Sequence, residues 1–112
     1  VGYRVFYHEC IKIAPGQAST YLSMVEHEWL KPAEKLGMVC VGAYRTMMRN
    51  DSEVFMIWAL KDWQTWANVE RAYQNEDFVK AWRHRTQNIA LDWENFLMCS
   101  APQSPTQTGH QP

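Results

Sequence analysis

Apolar residues along this chain follow two rhythms, and the points where one gives way to the other divide it into six elements. Tyr3 to Ile13 is dense in aromatic and β-branched side chains and predicts a strand, ended by Ala14-Pro15-Gly16. From Gln17 to Leu36 the apolar positions Ala18, Tyr21, Leu22, Val25, Trp29, Ala33 and Leu36 recur at helical spacing, and Gly37 supplies a C-terminal stop. Pro32 lies inside that helix, where it removes one backbone hydrogen bond and crowds the carbonyl of Glu28, so a kink is expected there. Met38 to Met48 returns to strand character. After the polar turn Arg49-Asn50-Asp51-Ser52, Glu53 to Leu60 forms the other arm of an antiparallel hairpin. Asp62 caps a helix that carries Trp63, Trp66, Val69 and Tyr73, and the pattern breaks at Gln74-Asn75. From Asp77 a further helical stretch sets Phe78, Trp82, Arg85 and Ile89 along one side, and Trp93 to Ser100 predicts the last strand. Beyond Ala101 the chain is polar and proline-rich with no apolar anchor, which predicts a disordered tail over residues 102–112.

The order strand–helix–strand–strand–helix–strand predicts one α+β domain over residues 1–101, of the ferredoxin-like type with a four-stranded antiparallel sheet. Val54-Phe55-Met56-Ile57-Trp58-Ala59-Leu60 does not alternate polar with apolar, so this strand needs cover on both faces. Two helices cover only one face of such a sheet. The other requires a partner sheet or a pocket, because an apolar face of several hundred Å² is uncommon on a soluble monomer. A homodimer is therefore expected.

Composition narrows the function classes. Eleven basic residues against twelve acidic ones, with no clustering of either sign, argue against a nucleic-acid partner or a membrane surface. The longest apolar run is too short to span a bilayer, and Arg4, His8 and Glu9 interrupt the first apolar stretch where a signal peptide would need continuity. Three cysteines, Cys10, Cys40 and Cys99, all in predicted strands, suit buried reduced thiols in a cytoplasmic protein rather than a disulfide framework. Six tryptophans mark a large aromatic investment in a core, an interface or a pocket.

The chain resembles the dimeric α+β barrel superfamily and, within it, the NIPSNAP-type domains. The residues that carry the likeness are Ile11-Lys12-Ile13-Ala14-Pro15-Gly16 at the end of the first strand and Glu28 to Gly37 around the helical proline. To these are added Val54 to Ala59 followed by Asp62-Trp63, and Asn75-Glu76-Asp77-Phe78. These are structural motifs, and they identify fold more firmly than activity. The resemblance implies two sheets packed face to face in a homodimer. It leaves open cofactor-free monooxygenases, cyclases or isomerases, haem-degrading enzymes, and non-catalytic scaffolds or carriers.

No histidine pairs with another ligand at a recognised metal spacing, and Glu26-His27-Glu28 are neighbours that point about 100° apart on a helix. In the haem-degrading relatives a histidine follows soon after the phenylalanine that opens the last helix. Here the position four beyond Phe78 is Trp82, and His84 is the nearest histidine. No cofactor or metal is expected on these grounds.

The first strand supplies the better candidates. Its interior face is either Tyr3, Val5, Tyr7, Glu9 and Ile11, or Arg4, Phe6, His8 and Cys10. Both sets mix apolar bulk with a few polar groups, as small-molecule pockets do. The resemblance favours the odd set facing the second sheet, since related domains place polar pocket residues about seven positions before the equivalent of Gly16. Glu9 or His8 is then the candidate general base. Tyr7, Ile11, Trp58, Trp63 and His84 are candidate contacts for a small aromatic or apolar ligand. Trp29, Trp66 and Trp82 lie on helical apolar stripes and are expected in the core.

Overall fold

In the computed structural model, which describes residues 5–47 and 51–99, strands β1 (Val5–Ile13), β2 (Val39–Arg45), β3 (Glu53–Leu60) and β4 (Ala90–Met98) form one sheet in the order β2-β3-β1-β4. All three pairings are antiparallel, with β1 central between β3 and β4. Helices α1 (Ala18–Met24), α2 (Leu30–Leu36), α3 (Trp63–Asn75) and α4 (Asp77–Thr86) provide the second layer. This is the expected α+β, ferredoxin-like architecture. The boundaries differ at the ends: β2 stops at Arg45, α4 at Thr86, and β4 runs from Ala90 to Met98. The expected tail, the residues expected to open the first strand before Val5 and the tip of the expected hairpin turn lie outside the described residues.

Between α1 and α2, Val25–Trp29 is a π-helical turn in which the Leu30 N–H reaches back to the Val25 carbonyl. It stands directly before Pro32, which has no N–H to give to the ladder, so the expected irregularity is present as a widened turn. The turn keeps Val25, Trp29 and Ala33 all buried against the sheet.

Burial alternates along β1: Val5, Tyr7, Glu9, Ile11 and Ile13 are buried, while Phe6, His8 and Cys10 are half-buried and Lys12 is exposed. The odd residues share a face with Val54, Met56, Trp58 and Leu60 of β3, which are at most 1% exposed. Together with Ala18, Tyr21, Val25, Trp29, Val69 and Val79 they make a single core between sheet and helices. The other side of the sheet has no helix over it. There His8 lies between Ile57 and Phe96 in register, Cys10 between Phe55 and Glu94, and Phe6 beside Met98. Phe96 is 53% exposed and Tyr44, opposite Phe55, is 57% exposed. The doubly apolar β3 is thus buried on one face, while on the other Phe55 is exposed, Ile57 half-buried and Ala59 buried.

The thiols depart from expectation. Cys10 and Cys40 are half-buried, Cys99 is exposed just past β4, and all three are free.

Two helix ends lock together beside the hairpin. Gly37 ends α2 at φ 100°, and a Cβ there would stand 2.5 Å from the Thr65 methyl. Thr65 in turn donates both its N–H and its hydroxyl to the Asp62 side chain, at 2.8 Å each, which caps α3. Asp62→Ala should cost about 1 kcal/mol in chemical denaturation. Gly37→Ala should cost about 2 kcal/mol, through backbone strain plus the clash with Thr65. Because Thr65 carries both effects, and is freer to turn once its cap partner is gone, the double variant should lose less stability than the two singles combined. Strict additivity would show the two helix ends to be independent.

Candidate functional site

A carboxylate in a hydrophobic core demands partners, and the chain provides them around Glu9. Its position in central strand β1 leaves it 7% exposed on the helix-covered face. Directly across the strand pair from Tyr7, Trp58 of β3 donates its indole N–H to Glu9 Oε1 at 2.8 Å. The Tyr7 hydroxyl also donates to Glu9, and Asn95 of β4 supports Tyr7. The rest of the wall is aromatic. Tyr21 from α1, Trp29 from the π-helical turn, Tyr73 from α3, Trp82 and Val79 from α4 and Trp93 from β4 enclose a small cavity beside the carboxylate, with Arg83 at its edge. Trp29 and Trp82 stack at 5.4 Å with nearly parallel rings, Tyr21 leans on Trp82 at 6.1 Å, and Trp29 meets Tyr73 edge-on at 6.4 Å. The Arg83 guanidinium lies 5.3 Å from the Tyr73 ring centre and 5.7 Å from that of Trp93.

This environment decides which group can move a proton. Burial pushes the Glu9 carboxyl up from 4.5 to about 6, against the opposing pull of the Trp58 hydrogen bond, the Arg83 charge and the Tyr7 hydrogen bond. The Tyr7, Tyr21 and Tyr73 hydroxyls are all pushed upward, chiefly by burial and then by the negative charge of Glu9. They therefore stay protonated at neutral pH and act as hydrogen-bond donors. Among the described residues lining the cavity, Glu9 is the group that exchanges a proton near neutrality.

The cavity has a volume of about 10 Å³, room for about one water molecule. Two larger hollows adjoin the same helices. A cleft of about 250 Å³, lined by Pro32, Phe78 and the Glu28–Arg85 pair, opens on the outer side of the Trp29–Trp82 stack. A groove of about 600 Å³ runs between α1 and the β2–β3 edge, past Leu22, Leu30, Cys40 and Met56. The groove has the volume, but its cation Arg45 is already bonded to Ser19 at 2.6 Å and paired with Asp51 at 4.0 Å. The chemistry is concentrated at Glu9, and that weighs more than volume.

The candidate residues separate accordingly. Glu9, Tyr7 and Trp58 come together in one hydrogen-bonded group, and Ile11 is fully buried two residues along the same face. The expectation that this odd-numbered face meets a second sheet is corrected, because the helices cover it and the even-numbered face is the open one. Helices with apolar stripes need an apolar partner surface, and the Val5–Ile13 odd set with the even residues of β3 is the larger one. His8 is consequently on the opposite side of the sheet from Glu9, stacked on Phe96 at 5.4 Å with its pKa lowered by burial, and cannot share a proton relay with it. Trp63 is 58% exposed at the start of α3, and His84 is exposed on α4 while Trp82 turns inward to the cavity. Among the described residues no cluster of histidine, cysteine and carboxylate side chains is arranged to hold a metal.

Sequence reading did not single out Tyr21, Tyr73, Arg83 or Trp93 for this wall, and it assigned Trp29 and Trp82 to solid core. Helical periodicity gives the inward direction of these side chains. It does not show that they stop short of filling the space in front of Glu9.

No known family profile matches the chain, and no curated protein matches it. Solved structures do. A NIPSNAP family protein of unknown function from Agrobacterium tumefaciens aligns over 93% of this chain and 94% of its own, with TM-score 0.77 and 18% identity. An uncharacterised NIPSNAP-like domain protein from Burkholderia xenovorans aligns over 100% and 98%, with TM-score 0.78 and 14% identity. A protein named as an antibiotic biosynthesis monooxygenase, from Bacteroides thetaiotaomicron, aligns over 95% of each chain, with TM-score 0.61 and 15% identity. The chain has the fold of the NIPSNAP proteins, an α+β ferredoxin-like domain, over nearly its whole length.

Proposed function

We propose that this protein binds a small aromatic or apolar compound against the Trp82–Trp93–Tyr73 wall and moves a proton on it with Glu9, without a bound cofactor. The observation that carries this reading is the Trp58–Glu9 hydrogen bond at 2.8 Å inside an aromatic enclosure. It aims a desolvated carboxylate at a cavity, with a proton affinity close to neutrality. Abstraction of an acidic C–H proton leaves an enolate. Returning the proton to oxygen completes an isomerisation, returning it to carbon completes exchange, and the protonated Tyr21 hydroxyl in the wall is suited to hydrogen-bond the negative oxygen meanwhile. A neighbour in fold named as a monooxygenase of antibiotic biosynthesis supports small-molecule chemistry on this scaffold.

We further propose that the open sheet face is covered by a second copy of the same face. Phe55, Ile57, Phe96, Met98 and Tyr44 form an apolar surface of the kind that soluble monomers seldom leave uncovered.

Three outcomes are expected. In deuterated buffer the protein should catalyse exchange at the acidic carbon of members of a panel of enolisable aromatic carbonyl compounds, neutral and acidic. Glu9→Gln should slow that exchange on the order of 10²- to 10⁴-fold. Absence of catalysed exchange by wild type across the panel would defeat the catalytic reading.

The second outcome concerns stability. Well below pH 4.5 Glu9 is protonated whether the chain is folded or not. As pH rises from 4.5 to about 6 the unfolded chain ionises first, so folding weakens, and the loss levels off above the folded value. Relative to wild type, Glu9→Gln should therefore gain about 2 kcal/mol between pH 4 and pH 7.5 in denaturant melts. An unchanged difference would mean that Glu9 is not desolvated.

The third is mass. Light scattering at micromolar concentration should give twice the 13.2 kDa chain mass, and Phe96→Glu should give one. A wild-type monomer would refute the dimer.

A further inference from the structure

Arg83 differs from Arg85 of the same helix in what it meets. Two residues on, Arg85 is engaged by both carboxylate oxygens of Glu28, at 3.0 and 3.2 Å. Arg83 has no carboxylate at ion-pair distance among the described residues, and its guanidinium rests over the faces of Tyr73 and Trp93. Its planar fork of donors is thus oriented by two rings and left free at the edge of the Glu9 cavity. We propose that Arg83 is the anchor for the negative end of the ligand, so that this site takes small planar aromatic carboxylates with an acidic C–H next to a carbonyl. The inference rests on the reading of Glu9 as the proton-transferring group.

Two features support that class. The enclosing side chains of Trp82, Trp93 and Tyr73 offer flat faces, which suit a ring better than a branched aliphatic body. A cation and an anion lining one small cavity let a carboxylate approach a second carboxylate without net repulsion. The cavity is too small, at about 10 Å³, to receive any organic molecule as it stands. Tyr21, Val79 and Trp29 belong to the packed core. Arg83 is exposed and held by two ring contacts and the longer-range attraction of Glu9, with no ion pair among the described residues, so it is the part of the wall that yields. A ligand entering there displaces the guanidinium from the rings and meets it again with its own carboxylate. In the reaction, the C–H electron pair becomes the enolate, Glu9 holds the proton, and the same proton returns to the carbonyl oxygen. No oxidant is consumed.

Phenylpyruvate has the required parts, and phenylacetone has the same ring and ketone without the carboxylate. Quenching of tryptophan fluorescence, with Trp29, Trp82 and Trp93 at the cavity, reads their binding directly. Wild type should bind phenylpyruvate at least tenfold more tightly than phenylacetone. Arg83→Met should lose on the order of tenfold or more for phenylpyruvate and bring the ratio between the two compounds close to one, whereas Arg83→Lys should keep part of the preference. An unchanged melting curve for Arg83→Met shows that the loss is not unfolding. Equal binding of the two compounds by wild type, or equal binding of phenylpyruvate by wild type and Arg83→Met, overturns the anchor while leaving the Glu9 site intact. If neither compound binds or exchanges its proton at millimolar concentration, the anchor and the underlying reading of Glu9 fall together.

Discussion

The contact on which the helix-covered half of the molecule turns is the hydrogen bond from the Trp58 indole to the buried Glu9 carboxylate. Moving a carboxylate from water to a position 7% exposed raises its proton affinity from 4.5 to about 6, a cost of roughly 2 kcal/mol at neutral pH. Against a typical net stability of about 5–15 kcal/mol, that is a considerable loss for a small domain to accept. An apolar side chain of similar volume at position 9 would avoid it, and replacement of buried charges by well-packed apolar groups is often neutral or stabilising. Trp58 and Tyr7 reduce the penalty without abolishing it. A core built for stability alone has no reason to keep such a group, and this is the physical ground for assigning it a task.

Strand alternation then determines what the sheet can do on each side. Glu9 and His8 are adjacent in sequence, and the pleat sends them to opposite faces. On the helix side there is a charged group with aromatic walls. On the other, His8 stacks on Phe96 among Phe55, Ile57 and Met98, with burial already disfavouring its charged form. A second copy laid over that face would desolvate His8 further and keep it neutral. The candidate base and the candidate assembly surface are therefore separated by one layer of backbone, and a change on one face need not be felt as a clash on the other.

Much of this fold is legible in the residues, for identifiable reasons. The span Glu53–Leu60, the Asp62 cap and the Gly37 stop are local signals, each enforced within a few residues, and the structure keeps them. The need for cover on both faces of β3 is equally plain, since Phe55 and Ile57 lie opposite in direction to Met56 and Trp58. The phase of β1 is different. Both of its faces mix apolar with polar residues, so the choice is made by which set completes the helix-facing core with Val54, Met56 and Trp58, a non-local condition. Pro32 announces an irregularity but does not specify a π-helical turn, because several backbone adjustments relieve the same missing N–H. Arg83 and Arg85 are indistinguishable by type and nearly by position. One reaches Glu28, and the other reaches two aromatic rings contributed by α3 and β4.

The aromatic stripe shows why periodicity and cavity are separate questions. Trp29, Trp82 and Tyr73 occupy inward positions, as a core stripe does, and they pack on one another in stacked and edge-on pairs. Flat rings held by each other cannot also close smoothly around a carboxylate whose hydrogen-bond partners come from Trp58 and Tyr7 in the sheet. The mismatch leaves a small gap, and the gap falls where the charge is. Filling it with aliphatic side chains would raise packing density and bury Glu9 beyond reach. Rings instead keep the wall stiff and hold bulk solvent back from the carboxylate, which strengthens the electrostatic interactions made there. The conjunction of a costly acid, rigid walls that do not quite meet, and a displaceable cation at the edge is what separates this core from an ordinary one.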